Sequence, residues 1–322
     1  MDCCPICGKE ITLLPHFDVR EPAKRGCATL HSPEDLSCPA SAFTPPVKYQ
    51  AFNGDCLTGM SLIPNKSVDL ILCDLPYGVL NSKNPNAKWD CIIPFADLWR
   101  QYERIIKDNG AIVLFAAGMF TSDLMQSNRK LWKYNLVWKK GNRPTGFLNA
   151  KKQPLRITED ICIFYKKQPT YNPQFTIGEK CHSRGGAGNG SDKQGRNGCY
   201  GEFKNTPVVM TNEKYPLSII DIPKEHPQTY HPTQKPVALL EYLIKTYTNE
   251  GDIVLDNCFG SGSTLIAAVK CGRAVIGFEK EARYYETAAE RLQEADTHVR
   301  ERLDGKQPNN TRNTRCKELR TE

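Results

Sequence analysis

Residues 68–78 read Val-Asp-Leu-Ile-Leu-Cys-Asp-Leu-Pro-Tyr-Gly. An apolar run of this kind, stopped by Pro76 and Gly78, suits a central parallel strand covered on both faces that runs out into a tight polar and aromatic turn. Such a strand belongs to an α/β sheet, and in open α/β sheets ligands sit beyond the carboxyl ends of the strands. Asp74 and Tyr77 therefore stand where chemistry would be done.

Far downstream, residues 253–264 read Ile-Val-Leu-Asp-Asn-Cys-Phe-Gly-Ser-Gly-Ser-Thr, another apolar strand that ends in a glycine-rich turn and enters a helix. Gly260 and Gly262 let the backbone approach a ligand closely, and the helix N-terminus behind them offers free N–H groups. Glu279 ends the next strand, about 20 residues after the loop, where an acid is placed to accept from ribose hydroxyls. Between the two stretches lies His231-Pro232-Thr233-Gln234-Lys235-Pro236.

Asp74-Leu75-Pro76-Tyr77 resembles the Asp-Pro-Pro-Tyr motif of amino-group DNA methyltransferases, which methylate N6 of adenine or N4 of cytosine. The glycine-rich stretch resembles their S-adenosyl-L-methionine loop, and residues 231–236 resemble the segment that precedes it. This order matches the circularly permuted β-type arrangement, over roughly residues 48–295. The resemblance implies an α/β fold with the Rossmann-like seven-stranded methyltransferase sheet, an inserted DNA-recognition region and a small Cys-rich N-terminal appendage. It implies catalytic roles for Asp74, Leu75, Pro76 and Tyr77. Cofactor contacts are expected from Asp55, Thr233, Gln234, Lys235, Asp256, Asn257, Phe259, Gly260, Ser261, Gly262, Ser263 and Glu279. Asp55 also suits a helix N-cap, and the two roles are compatible. Asn257 and Cys258 depart from the commoner Pro-Phe of the loop, which leaves its packing open.

The implied reaction is methylation of adenine N6, because the N4-cytosine branch, the alternative, more often has Ser in place of Asp74. A dinucleotide-dependent oxidoreductase fits less well, since Gly-Ser-Gly-Ser is not the full fingerprint and Asp-Leu-Pro-Tyr would have no role. A non-catalytic DNA-binding protein is disfavoured by an acid at 74 and an aromatic at 77. The implied partner is double-stranded DNA, with a homodimer and a cognate restriction nuclease left open.

Charge sharpens the DNA reading. The chain carries +7, yet residues 139–204 hold thirteen Lys and Arg against five Asp and Glu, a net of +8 that leaves −1 for the rest. A basic excess confined to one segment is an electrostatic footprint for phosphates, with a solvated loop as the alternative. The candidates are Lys139, Lys140, Arg143, Lys151, Lys152, Arg156, Arg184, Lys193 and Arg196. Residues 139–159 form a connection too long for a structural hairpin turn. Residues 178–201, dense in Gly, Ser, Asn and basic residues, read as a DNA-contacting segment or a disordered linker.

The 322-residue length suits two domains or one domain with an insertion, and a hydrophobic fraction of 39% is ordinary for a soluble protein. With no membrane-length apolar run and no signal-peptide pattern, a cytoplasmic protein without a membrane partner is expected. Several of the fourteen cysteines, among them Cys73, Cys162 and Cys271, lie in apolar elements as buried thiols. Residues 1–47 differ: Cys4-Pro5-Ile6-Cys7-Gly8 has the form of a zinc knuckle, with Cys27 and either Cys38 or His31 to complete four ligands. A loosely ordered arm would look similar. The expected divisions are this appendage, a methyltransferase domain over 48–303 with recognition residues in 139–230, and a polar tail from 304. Within the domain we expect a helix over 94–107, a strand over 111–117, a helix over 119–129, and an antiparallel pair at 134–138 and 160–165.

Overall fold

The computed structural model describes residues 29–31, 49–80, 87–182, 196–197, 201–202, 210–224, 230 and 233–303. The first half runs β1 (Thr29–His31), β2 (Tyr49–Asn53), α1 (Cys56–Leu62), β3 (Val68–Cys73), α2 (Phe95–Ile105), β4 (Ile106–Ala116), α3 (Met119–Ser127) and β5 (Trp132–Lys139). Next come β6 (Thr158–Phe164), β7 (Thr176–His182), β8 (Arg196–Asn197), β9 (Gly201–Glu202), β10 (Met210–Lys214) and β11 (Ile219–Asp221). The chain then passes through α4 (Val237–Tyr247), β12 (Ile253–Asp256), α5 (Ser263–Lys270), β13 (Ala274–Glu279) and α6 (Ala282–Leu303).

The main sheet has nine strands in the order β1-β2-β13-β12-β3-β4-β6-β5-β11. The inner seven make the expected sheet, in which β6 alone runs antiparallel to its neighbours β4 and β5. Two edge strands extend it. β11 pairs in parallel with β5, and β1, inside the stretch expected to be a separate appendage, pairs in parallel with β2. At least that part of residues 1–47 is therefore built into the sheet.

β3 is central because both of its faces are apolar, as its uninterrupted burial from Leu70 to Cys73 requires. On one side, Leu70 and Leu72 pack in a cluster with Leu239 and Leu243 of α4, Leu265 of α5, and Ala288 and Leu292 of α6. On the other, Ile71 and Cys73 join Met60 of α1, Leu98 and Tyr102 of α2, and Phe120 and Leu124 of α3. The result is a three-layer sandwich.

Most elements fall where periodicity places them, with one shift at β4. The expected helix end and turn at 107–110 is instead the opening of an eleven-residue strand. The β3–β4 register slips between Val68 and Leu70, and Lys107 anchors the irregular stretch with its ammonium 2.7 Å from Asp69. Gly110 is required there, since a Cβ would stand 2.7 Å from the Asp69 carbonyl oxygen. A second difference lies in the basic stretch, where β7 and β10 form a separate antiparallel ribbon. No helix of the described residues is long and apolar enough to cross a membrane.

Candidate active site

The carboxyl ends of β3, β12 and β13 open onto a cavity of about 390 Å³ lined by both sequence motifs. β3 delivers Asp74, Leu75, Pro76 and Tyr77 to one side of it. Asp74 Oδ1 accepts a hydrogen bond of 2.8 Å from the Tyr77 hydroxyl, and its Oδ2 is ion-paired with the Lys235 ammonium. Burial pushes the Asp74 carboxyl above the ordinary carboxylate range against the pull of Lys235, and burial likewise raises the Tyr77 phenol. One face of the Tyr77 ring is fixed against Phe120, with centroids 4.8 Å apart and planes 26° from parallel.

The turn is held from behind by a residue that no motif marks. Asp90, 2% exposed, accepts from the backbone N–H of Gly78 at 2.9 Å and of Leu80 at 2.6 Å. Gly78 has φ +71°, and a Cβ there would press to 2.8 Å from Ile92. Bulkier residues are thereby excluded from the end of the motif. The only sequence signal for Asp90 is an acid in an otherwise polar, turn-rich stretch.

The glycine-rich loop forms the other side. Gly260 donates its N–H to Glu279 Oε2 at 2.8 Å, and Glu281 donates to Oε1 at 2.8 Å, so the strand-end acid is aimed by the backbone while its remaining lone pairs face the cavity region. Burial raises the Glu279 carboxyl, and it pushes Asp256 up to about 6. Asp256 Oδ1 accepts from the Cys258 N–H at 3.0 Å. Gln234 Oε1 takes the Ser261 hydroxyl at 3.2 Å and the Tyr230 N–H at 3.0 Å, tying residues 233–236 to the loop. Asn257, only 1% exposed, accepts from the Tyr102 hydroxyl, so the departure from Pro-Phe is absorbed by a polar contact to α2. Asp55 caps α1 by accepting from Thr58 N–H at 3.0 Å and also lines the cavity, as do Thr233, Phe259 and Ser263.

Two expected contacts, those of Gly262 and Lys140, are corrected, and Lys235 is found to have further partners. Gly262 is not at the cavity wall: it caps α5 with φ +81°, and a Cβ would meet the Ala288 Cβ of α6 at 2.8 Å, so its smallness serves helix packing. Lys235 lines the cavity, and its ammonium is engaged at the catalytic turn, where its partners are Asp74 and, at 3.3 Å, Glu159. Lys140 is not available to phosphates, being 3% exposed and paired with Glu159 at 2.6 Å. Lys139 is paired with Asp221 at 2.6 Å. Arg143, Lys151, Lys152 and Arg156 are exposed, on a connection pinched at its base by the Thr145–Arg156 backbone pair. Because β5 ends and β6 begins beside the carboxyl end of β4, that connection projects from the catalytic edge of the sheet.

Cys4, Cys7, Cys27 and Cys38 lie outside the described residues, as do Arg184 and Lys193, and only the backbone of His31 and Arg196 is described. Among the described residues no cluster of His, Cys, Asp and Glu is placed to hold a metal.

The family model described as DNA methylase, covering the N6 and N4 enzymes, matches residues 68–290. The chain belongs to that family. It is 30% identical over 265 residues to the DNA adenine methyltransferase YhdJ of Escherichia coli K12, spanning 78% of this chain and 85% of the relative. It is 28% identical to the type II methyltransferase M.HinfI of Haemophilus influenzae, over 75% of this chain and 67% of that one. The solved complex of M1.HpyAVI with S-adenosylmethionine superposes with TM-score 0.52 at 26% identity, over 76% of this chain and 98% of that one. PvuII cytosine-N4 methyltransferase, TM-score 0.52 and 15% identical over 78% of this chain and 92% of its own, shares the fold.

This DNA methyltransferase uses S-adenosylmethionine, and the cavity fits it. Ser263 Oγ is buried at the loop without a hydrogen-bond partner, and Glu279 offers carboxylate lone pairs one strand away. Both suit a ligand rich in hydroxyl and amino groups.

Proposed function

We propose that the enzyme methylates N6 of adenine at a specific site in double-stranded DNA, extruding the target base into the cavity. The observation that carries the reading is the Asp74–Tyr77 hydrogen bond at the rim of the cavity that also holds the Gly260–Glu279 loop. It sets a carboxylate and an aromatic ring beside the cofactor residues.

S-adenosylmethionine supplies an electrophilic methyl group on a sulfonium, and Asp256, Gly260, Ser261, Ser263 and Glu279 would hold it. An exocyclic amine is a poor nucleophile because its lone pair is delocalised into the ring. The Asp74 carboxylate and the Leu75 carbonyl accept its two N–H groups, which turns the lone pair out of conjugation. The negative charge of Asp74 then stabilises the positive charge that develops on nitrogen, so the residues act by positioning and electrostatics. Pro76 fixes the turn and removes a competing donor. Extruding a base costs a few kcal/mol. The free face of Tyr77 returns about 1–3 kcal/mol by stacking.

Asp rather than Ser at position 74 supports adenine over the N4-cytosine alternative, as does the name of the E. coli relative. On the DNA side, Arg143, Lys151, Lys152 and Arg156 serve the phosphates from within a recognition region spanning 139–230. In the same reading residues 1–47 bind one zinc through Cys4, Cys7, Cys27 and Cys38, with His31 as the substitute ligand. The type II naming of two relatives supports a restriction-modification setting with a cognate nuclease, and a homodimer is the further assembly in this reading. Expression in a methylation-free host, with modified bases mapped by single-molecule sequencing, tests the function. N6-methyladenine at one recurrent sequence is expected, and N4-methylcytosine or an unmodified genome would overturn the reading.

A further inference from the structure

Beside the catalytic turn lies a buried charge cluster that the transfer scheme leaves without a role. The Lys235 ammonium bridges Asp74 Oδ2 and Glu159 Oε2, and Glu159 Oε1 holds the Lys140 ammonium at 2.6 Å. Lys235 is 7% exposed, and its ammonium lies 4.9 Å over the Phe115 ring, so the two carboxylates are what stabilise its charge. Two carboxylates sharing one buried pocket repel each other, and without a cation between them one would take up a proton. The cluster also competes for the acceptor that the chemistry needs, leaving Asp74 only the second lone pair of each oxygen. Asp74 must accept from the target amine, yet Oδ1 is engaged by Tyr77 and Oδ2 by Lys235. Glu159 Oε2 is buried without an aligned hydrogen-bond donor, and the Lys235 ammonium is already 3.3 Å away.

We propose that Lys235 is a positioning residue for methyl transfer: it keeps Asp74 an ionised, aimed acceptor and hands its hydrogen bond from Asp74 Oδ2 to Glu159 Oε2 when the target amine arrives. No proton changes hands, since the ammonium is retained at both stations. Glu159 is the receiving carboxylate, and Lys140 holds it ionised from the far side. Burial opposes the charge of Glu159, but Lys235 and Lys140 together hold its carboxyl below the ordinary range, while Asp74 and Glu159 hold the Lys235 ammonium above its own against the same burial. The charged and titratable groups facing Asp74 are Lys235, Glu159, Tyr77, Cys73 and Asp256, with Lys140 and Lys224 behind Glu159.

The inference rests on the methyltransferase reading. Methyl transfer by the wild-type enzyme reports on that reading, whereas differences among variants report on Lys235 and Glu159. The experiment follows single-turnover transfer from tritiated S-adenosylmethionine to a duplex bearing the mapped site, as a function of pH, with cofactor affinity from calorimetry. Lys235→Gln should move the acidic limb of the rate profile upward by about 1–3 pH units, because an opposite charge at contact shifts a carboxyl by that much. Each unit is about a tenfold loss of rate on that limb. Lys235→Arg keeps the charge and should leave the limb near its wild-type position. Glu159→Gln removes the like charge, so the limb should move downward while the plateau rate falls, the ammonium now staying on Asp74. Cofactor affinity should stay within about twofold in every variant that folds. Should Lys235→Gln fail to fold, the contrast between Lys235→Arg, whose limb stays in place, and Glu159→Gln, whose limb moves downward, still decides the matter. Unmoved limbs in the Lys235→Gln and Glu159→Gln variants would overturn the proposal, as would Lys235→Gln losing cofactor affinity with an unchanged rate at saturation.

Discussion

Asp90 shows how a single side chain can hold a catalytic turn without belonging to its motif. Its carboxylate takes two backbone N–H groups of that turn while almost wholly buried. Asp90→Ala would leave those donors without partners, at about 1–3 kcal/mol. We expect an apparent loss of that size in urea unfolding and a transfer rate at least tenfold lower, with cofactor affinity kept. Unaltered kinetics would mean that the turn holds itself. Asp256 gives a prediction of opposite sign for stability. Its folded carboxyl titrates near 6 against an ordinary 3.8, raised first by burial. The folded state therefore binds more protons than the unfolded chain between those values, and ionisation of Asp256 costs stability as pH rises through about 6. Asp256→Asn should raise the melting temperature of the cofactor-free protein at pH 7.5, with the gain fading as pH falls towards 4. A gain independent of pH would point to a cause other than this charge. Asp74 and Glu279 were legible in the sequence because each stands at the end of an apolar strand, and Tyr77 because it lies in the turn that follows the first of these. Asp90, Glu159 and the true partners of Lys235 were not, because their meeting depends on contacts such as the 161-residue separation between Asp74 and Lys235.

Among the elements, the apolar strands and amphipathic helices could be read from their periods, and the antiparallel placement of β6 from the resemblance. The long start of β4 escaped, since its polar residues 107–110 look like a turn until Lys107 is seen to be held by Asp69. The ribbon of β7 and β10 escaped for a similar reason: Ile177 is 73% exposed, and a ribbon paired mainly by its backbone leaves little hydrophobic pattern to read. The β5–β6 connection is the element on which the DNA reading depends. If Lys151 and Lys152 each neutralise a phosphate, changing both to Gln should lower the slope of log affinity against log salt by up to about 1.8, at 0.9 per contact. Fluorescence anisotropy with a labelled duplex over a salt series measures it. An unchanged slope would leave these lysines as solvated charges.

For the molecule as a whole, the sheet order brings residues 74–77, at the end of β3, beside residues 256–263, at the end of β12, by pairing the two strands in parallel at Val254–Leu70 and Leu255–Ile71. Fold and site are thus one consequence of central strand pairing, with one end of the sheet serving the base and the cofactor together. The most direct test of this account compares the wild-type enzyme with Asp74→Ala, measuring tritiated methyl transfer to N6 of adenine and, in the same preparations, calorimetric affinity for S-adenosylmethionine. The account predicts that transfer falls by about 10²–10³-fold, the loss of a principal electrostatic group, while cofactor affinity stays within a few-fold. Near-normal transfer by Asp74→Ala would contradict it.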